Sequence, residues 1–236
     1  MKKLIKVTIN DFRLVFRDIS LRFFFIFPIL NLFVVRYGLP FVVGHFVGLE
    51  NYVVIVMMFM ANQGALIFGF IYSLVLIDEK DTNVAKVYGV LPVSKFWFVL
   101  FRIIPAFLFA SISTILLLFA QTYYPLSFTI VVIYSGLVGL IAPMMALFVA
   151  IMSKNKLEGM TWQKLFNLPV ALPVLAFFVP VSFSALFGIL PTYWAYQGFY
   201  NLINGAGFSF QFIIGYGFNL LIVVVMAKRF SRTHFQ

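Results

Sequence analysis

YVVIVMMFMANQGALIFGFIYSLVLI, residues 52–77, carries no charged side chain. A helix of that length spans about 39 Å, more than the ~30 Å hydrocarbon core of a bilayer. Five further apolar stretches lie at Phe23–Tyr37, Phe96–Ala120, Phe128–Met152, Leu168–Leu190 and Phe210–Ala227. Pro28, Arg36 and the run Gly38-Leu39-Pro40 interrupt the outer end of the first. With 63% hydrophobic and 10% charged residues, the chain lies far from the soluble average. The predicted fold is an all-α membrane protein: six transmembrane helices preceded by an amphipathic interfacial helix. Residues 1–22 form that helix, 23–227 the transmembrane domain and 228–236 a tail.

Charge orients the spans. Fifteen of the 17 Lys and Arg residues fall at the two termini and in Asp78–Lys95 and Ser153–Asn167. The loops Gly38–Asn51, Gln121–Ser127 and Pro191–Ser209 hold none. Short basic loops stay in the cytoplasm, so both termini are expected there in a multi-pass protein of the cell membrane. The net charge of +10 then reflects topology and attraction to anionic membrane lipids rather than nucleic-acid binding. Cysteine is absent, which excludes disulfides and thiolate sites. No cleavable signal peptide is evident, and the basic segment before the first span suits a retained anchor.

Between residues 2 and 20, Ile5, Ile9, Phe12, Phe16 and Ile19 recur at helical steps, with Lys6, Asn10, Arg13, Arg17 and Ser20 beside them. This gives one apolar and one basic face, suited to the headgroup layer. The helix is either a plain anchor or a lever touching a cytoplasmic partner. The segment DEKDTNVAKVYGVLPVSKFWFVLFR, residues 78–102, mixes both charges. Its spacing predicts a short helix over Thr82–Tyr88, with Asp81 as N-cap and Gly89 and Pro92 as terminators.

That segment resembles the intracellular loop of the type-2 ABC-transporter permease family. The resemblance rests on Glu79, Lys80 and Thr82 at its start, Leu91, Pro92 and Ser94 at its end, and Arg102 early in the next span. SKNKLEGMTWQKLFNLPVALP (153–173) and ILPTYW (189–194) are similar to segments of small drug-exporter-like members. The resemblance implies a six-span exporter subunit that moves an amphipathic drug, lipid or peptide outward. It implies a cytoplasmic ABC ATPase touching Glu79, Lys80, Asp81, Thr82, Asn83, Lys86 and Tyr88, together with Lys6, Arg13 and Arg17 of the connecting helix. It also implies a second permease chain and a re-entrant helical pair near Pro191–Ser209, turning at Gly205 and Gly207.

No G-x-x-x-x-G-K-[ST] sequence occurs, so this chain is not expected to bind a cofactor itself; ATP and Mg²⁺ belong on the partner. A membrane enzyme would need more ligands than the Asp78/Asp81 pair supplies. His45 and His234 fall on opposite predicted sides of the membrane. A secondary carrier usually places acids within its spans, and none falls within these. Candidate path residues are Asn31, Arg36, Asn62 and Gln63, whose polar groups need protein or a cavity. Interhelical hydrogen bonding is the simpler reading of all four. Ala142, Ala146 and Ala150 form a small-residue stripe for close packing, within the chain or between two copies. Pro169, Pro173 and Pro180 should bend or unwind the fifth span.

Overall fold

The first apolar stretch is a string of short pieces, α1 (Ile19–Phe24), α2 (Ile26–Phe33), a π-helical turn at Val34–Gly38 and α3 (Leu39–His45). Pro40 has no N–H to return to Arg36, and the Leu39 N–H instead bonds five residues back to the Val34 carbonyl. The computed structural model describes residues 15–17, 19–46, 48–82, 94–207 and 210–233. Among these there is no strand.

The bundle is built on α4 (Val53–Asp81), which packs along α5 (Lys95–Ala120) and along a bent span made of α6 (Phe128–Gly139) and α7 (Ile141–Met152). The bend lies at Leu140, where Pro143 deprives the Gly139 carbonyl of its helical partner. Gly69 sets the crossing of α4 on α7. A Cβ there would lie 2.7 Å from the Ala142 carbonyl oxygen. Ala142, Ala146 and Ala150 are fully buried. The alanine stripe therefore packs within the chain, where small residues let two backbones approach.

α8 (Lys156–Ala171) starts with reciprocal capping. Asn155 Oδ1 accepts from the Glu158 N–H at 2.9 Å, and Glu158 Oε2 accepts from the Lys154 N–H at 2.8 Å. Pro173 then brings in a 3-10 turn, Leu172–Phe177, and the chain breaks before Pro180. α9 (Val181–Ser184) and a second 3-10 turn, Ala185–Ile189, lead back into the bundle. The Thr192 hydroxyl donates to the Val170 carbonyl at 2.7 Å. From there α10 (Tyr193–Ile203) returns outward, bringing Tyr200 against Phe177 with ring centroids 4.9 Å apart. Gly205 and Gly207, both at positive φ, turn the chain into α11 (Phe210–Thr233). The re-entrant excursion thus turns at Leu190–Thr192, while the two glycines join its return limb to the last helix.

Several expected boundaries change. Among the described residues five helices are long and apolar enough to cross a membrane, Leu21–His45, Leu49–Lys80, Lys95–Ala120, Phe128–Met152 and Phe210–Thr233. The expected span Leu168–Leu190 is not among them, because its prolines divide it. The expected loop Ser153–Asn167 is mostly helix. Asp81 is the last residue of α4, and Glu79 and Lys80 belong to that helix's last turn rather than to a loop, whereas residues 83–88 of the expected helix and the side chain of its cap lie outside the described residues.

Candidate functional site

Asn62 and Gln63 lie ten and eleven residues along α4 from Tyr52, about 15 Å into the bundle. There they line a cavity of about 170 Å³ closed by Phe59 and Leu66 of α4, Asn167 and Val170 of α8, and Tyr196 of α10. Asn62 is 1% exposed. Its Nδ2 donates to the Met58 carbonyl at 2.9 Å and to the Tyr196 hydroxyl at 3.1 Å. Asn62 Oδ1 and Asn167 Oδ1 are buried with no partner among the described residues. An unsatisfied buried acceptor costs about 1–3 kcal/mol, so these two oxygens favour any donor that enters. The volume would hold roughly five waters at ~30 Å³ each. It is below the ~300 Å³ of a drug-sized pocket. In this conformation the cavity is uncharged and lined by amide and hydroxyl groups as well as apolar side chains.

The far end of α4 carries a second arrangement. Asp78, Glu79 and Lys80 are successive residues, about 100° apart around the helix, and each ties α4 to a different neighbour. Asp78 Oδ1 pairs with Lys156 Nζ of α8 at 2.7 Å, both side chains about half exposed. Glu79 is buried and accepts both guanidinium arms of the buried Arg102 of α5, with Arg102 Nη1 donating to Oε2 at 2.6 Å and Nη2 donating to Oε1. Lys80 Nζ donates to the Ala150 carbonyl and, at 3.3 Å, to that of Ser153. Those carbonyls end α7, where a cation satisfies unpaired acceptors and the helix dipole together. The residues that lead into the 83–93 segment are thus fastened to three helices at once.

The predicted site residues therefore separate. Asn62 and Gln63 share the cavity. Asn31 sits half-buried on α2 and does not line it. Arg36 is exposed on the π-helical turn, and its Nη1 donates to the Ala120 carbonyl at 3.4 Å, at the C-terminus of α5. Glu79 and Lys80 are engaged inside the bundle. Thr82 is exposed, its hydroxyl donating to the Asp78 carbonyl at 2.8 Å. Arg17 is exposed before α1. The side chain of Asp81, and Asn83, Lys86, Tyr88, Lys6 and Arg13 altogether, lie outside the described residues. Arg102, early in α5, is buried because Glu79 meets it inside the bundle.

Sequence reasoning missed Asn167 and Tyr196. The pattern Asn155-x-x-Glu158 ahead of an apolar run was the available signal that α8 begins at 156 and carries Asn167 into the bundle. Nothing local marks Tyr196, whose place depends on the re-entrant turn.

The family model described as "Fluoroquinolones export permease protein Rv2686c-like" matches residues 11–227. Two relatives, the fluoroquinolones export permease proteins Rv2686c and MT2760 of Mycobacterium tuberculosis strains H37Rv and CDC 1551, are each 25% identical to the chain over 202 residues. The match covers 84% of this chain and 77% of theirs. No solved structure matches. The chain belongs to the Rv2686c-like family of export permeases, in agreement with its resemblance to type-2 ABC permeases. It is a multi-pass membrane transport subunit.

Proposed function

We propose that this Rv2686c-like permease forms the membrane pathway of an ATP-driven exporter for amphipathic compounds of the fluoroquinolone kind. The carrying observation is the uncharged cavity of Asn62, Gln63, Asn167 and Tyr196, with two amide oxygens left for a donor. A proton-coupled carrier needs a titrating acid on its path. Among the described residues the buried acid is Glu79, which lies near the other end of α4 and faces Arg102 at hydrogen-bond distance. The energy then comes from outside the chain, from a cytoplasmic ABC ATPase that carries ATP and Mg²⁺.

In this reading both termini are cytoplasmic, and two permease chains face each other with two ATPase subunits beneath. The ATPase engages residues 79–88 from the cytoplasm, with Asp81, Thr82, Asn83, Lys86 and Tyr88 as contacts and Glu79 and Lys80 as the fastening behind them. Lys6, Arg13 and Arg17 of the connecting helix supply a second contact. Nucleotide-driven movement of that segment reaches α5, α7 and α8 through the three ties at Asp78–Lys80. Coupling of this kind requires a ligand that binds two conformations unequally.

The test is purification of the tagged chain from its native host in mild detergent, followed by drug-stimulated ATPase assay and efflux measurement. A stoichiometric P-loop ATPase should co-elute, and Val84→Pro should abolish stimulation while the permease stays folded. Gln63→Ala should change the order of preference among fluoroquinolones. A folded chain that elutes without an ATPase even after cross-linking, and whose efflux collapses with the proton gradient, would make it a secondary carrier.

A further inference from the structure

Among the described residues no Asp, Glu, Lys or Arg lines the cavity between α4, α8 and α10. Along α4 the nearest charged positions are Glu50 and Asp78, each about 20 Å or more from Gln63 at the helical rise. Residues 168–227, which include α10, hold no charged side chain. On α8, however, Lys164 precedes Asn167 by three residues. Positions three apart are neighbours on a helix surface, about 60° around and ~4.5 Å along the axis. Lys164 also stands seven residues before the cavity-wall residue Ala171, and seven residues bring a helix back to within about 20° of the same line. The cavity-lining face of α8 thus continues into Lys164, a turn nearer the helix start. Lys164 is exposed and has no acidic partner among the described residues, unlike Lys156, which holds Asp78. Neither Gln63 nor Asn167 has a side-chain hydrogen bond among the described residues. Phe59, another wall, is 38% exposed, so the cavity opens on the side of the bundle.

We infer that the cavity and Lys164 together form a subsite for an amphipathic carboxylate. The Lys164 ammonium holds the carboxylate, and the Gln63 and Asn167 amides hydrogen-bond the uncharged part of the molecule that enters the cavity. Lysine suits this place because its long stem lies along apolar surface while the ammonium stays in the wetter approach. A primary amide both donates and accepts, so two free amides on two helices can hold a polar ring without a charge on either side. A cationic ligand would meet Lys164 with no compensating acid on the cavity walls, whereas a carboxylate meets a counter-charge. The inference rests on the substrate reading proposed above, and not on the energy source.

The test is equilibrium dialysis of the purified full-length permease against an amine-free quinolone carboxylate and its methyl ester, which differ in one charge. The acid should bind about fivefold tighter than the ester, the upper range for a partly exposed ion pair. Lys164→Gln, at an exposed position, should erase that difference by weakening the acid alone, and Lys164→Glu should reverse it. Asn167→Leu should weaken acid and ester equally. Lys154→Gln, exposed in the same basic segment but a turn or more away from the cavity face, should leave the difference intact. Equal binding of acid and ester by the parent would overturn the proposal, as would a preference that survives Lys164→Gln or is lost equally in Lys154→Gln. So would displacement of the acid by phosphatidylglycerol but not by phosphatidylcholine, which would make Lys164 a lipid contact. Binding of both compounds without discrimination refutes this subsite alone. Binding of neither refutes the substrate reading and the subsite with it.

Discussion

Replacing Arg102 by methionine leaves the Glu79 carboxylate buried beside an apolar side chain, and replacing Glu79 leaves the guanidinium in the same position. Both partners are nearly inaccessible, with side-chain exposures of 3% and 9%. At an effective dielectric of about 20, two unit charges ~4 Å apart attract by ~4 kcal/mol. Removing one partner of a buried pair costs about 3–5 kcal/mol, because the other charge stays desolvated. We expect Arg102→Met and Glu79→Met each to lose that much. The double variant should fall within about 1 kcal/mol of the parent, since an apolar pair of similar volume incurs no such penalty. Unfolding of the detergent-solubilised permease, followed by tryptophan fluorescence, measures all four proteins of the cycle. A contrasting pair serves as control. Asp78 and Lys156 are half in water, so Lys156→Met should shift stability by less than about 1 kcal/mol. Single losses that add in the double variant to within ~0.5 kcal/mol would refute the reasoning, because the two charges would then be independent.

Other substitutions separate packing from transport. Gly69→Leu should reduce folded yield and cost about 1–3 kcal/mol, since its Cβ meets the Ala142 backbone at 2.7 Å, whereas Gly217→Ala, with open space around it, should be tolerated; size-exclusion profiles of both report the difference. Asn62→Leu removes an amide whose oxygen has no partner, so it should keep or raise the melting temperature while lowering fluoroquinolone efflux; a parallel loss of both would mean that Asn62 serves packing.

Much of the site was legible in part only. Asn62 and Gln63 stand out because two amides in the charge-free stretch 52–77 need polar company, and the cavity supplies it. Arg36 stands out for the same reason yet bonds the end of α5, because a lone cation in a span is satisfied as well by a free helix carbonyl as by a path. Glu79 and Lys80 read as loop residues, since charge after an apolar run ordinarily marks the water boundary. α4 continues past that boundary, and its charges are matched by Arg102 and by the end of α7.

Hydropathy and charge along the chain were enough to determine a helical membrane protein with a basic side, because the bilayer acts on each segment independently of the rest. Proline placement likewise foretold that the fifth stretch would break, a local consequence of missing N–H groups. Which polar residues meet was settled only in three dimensions. Asn62 and Asn167 are separated by more than a hundred positions, and their shared cavity exists because a re-entrant turn at Leu190–Thr192 brings Tyr196 back to the depth of α8. Such partnerships depend on helix crossings like that of Gly69 on Ala142, and periodicity carries no information about which helix a face will meet.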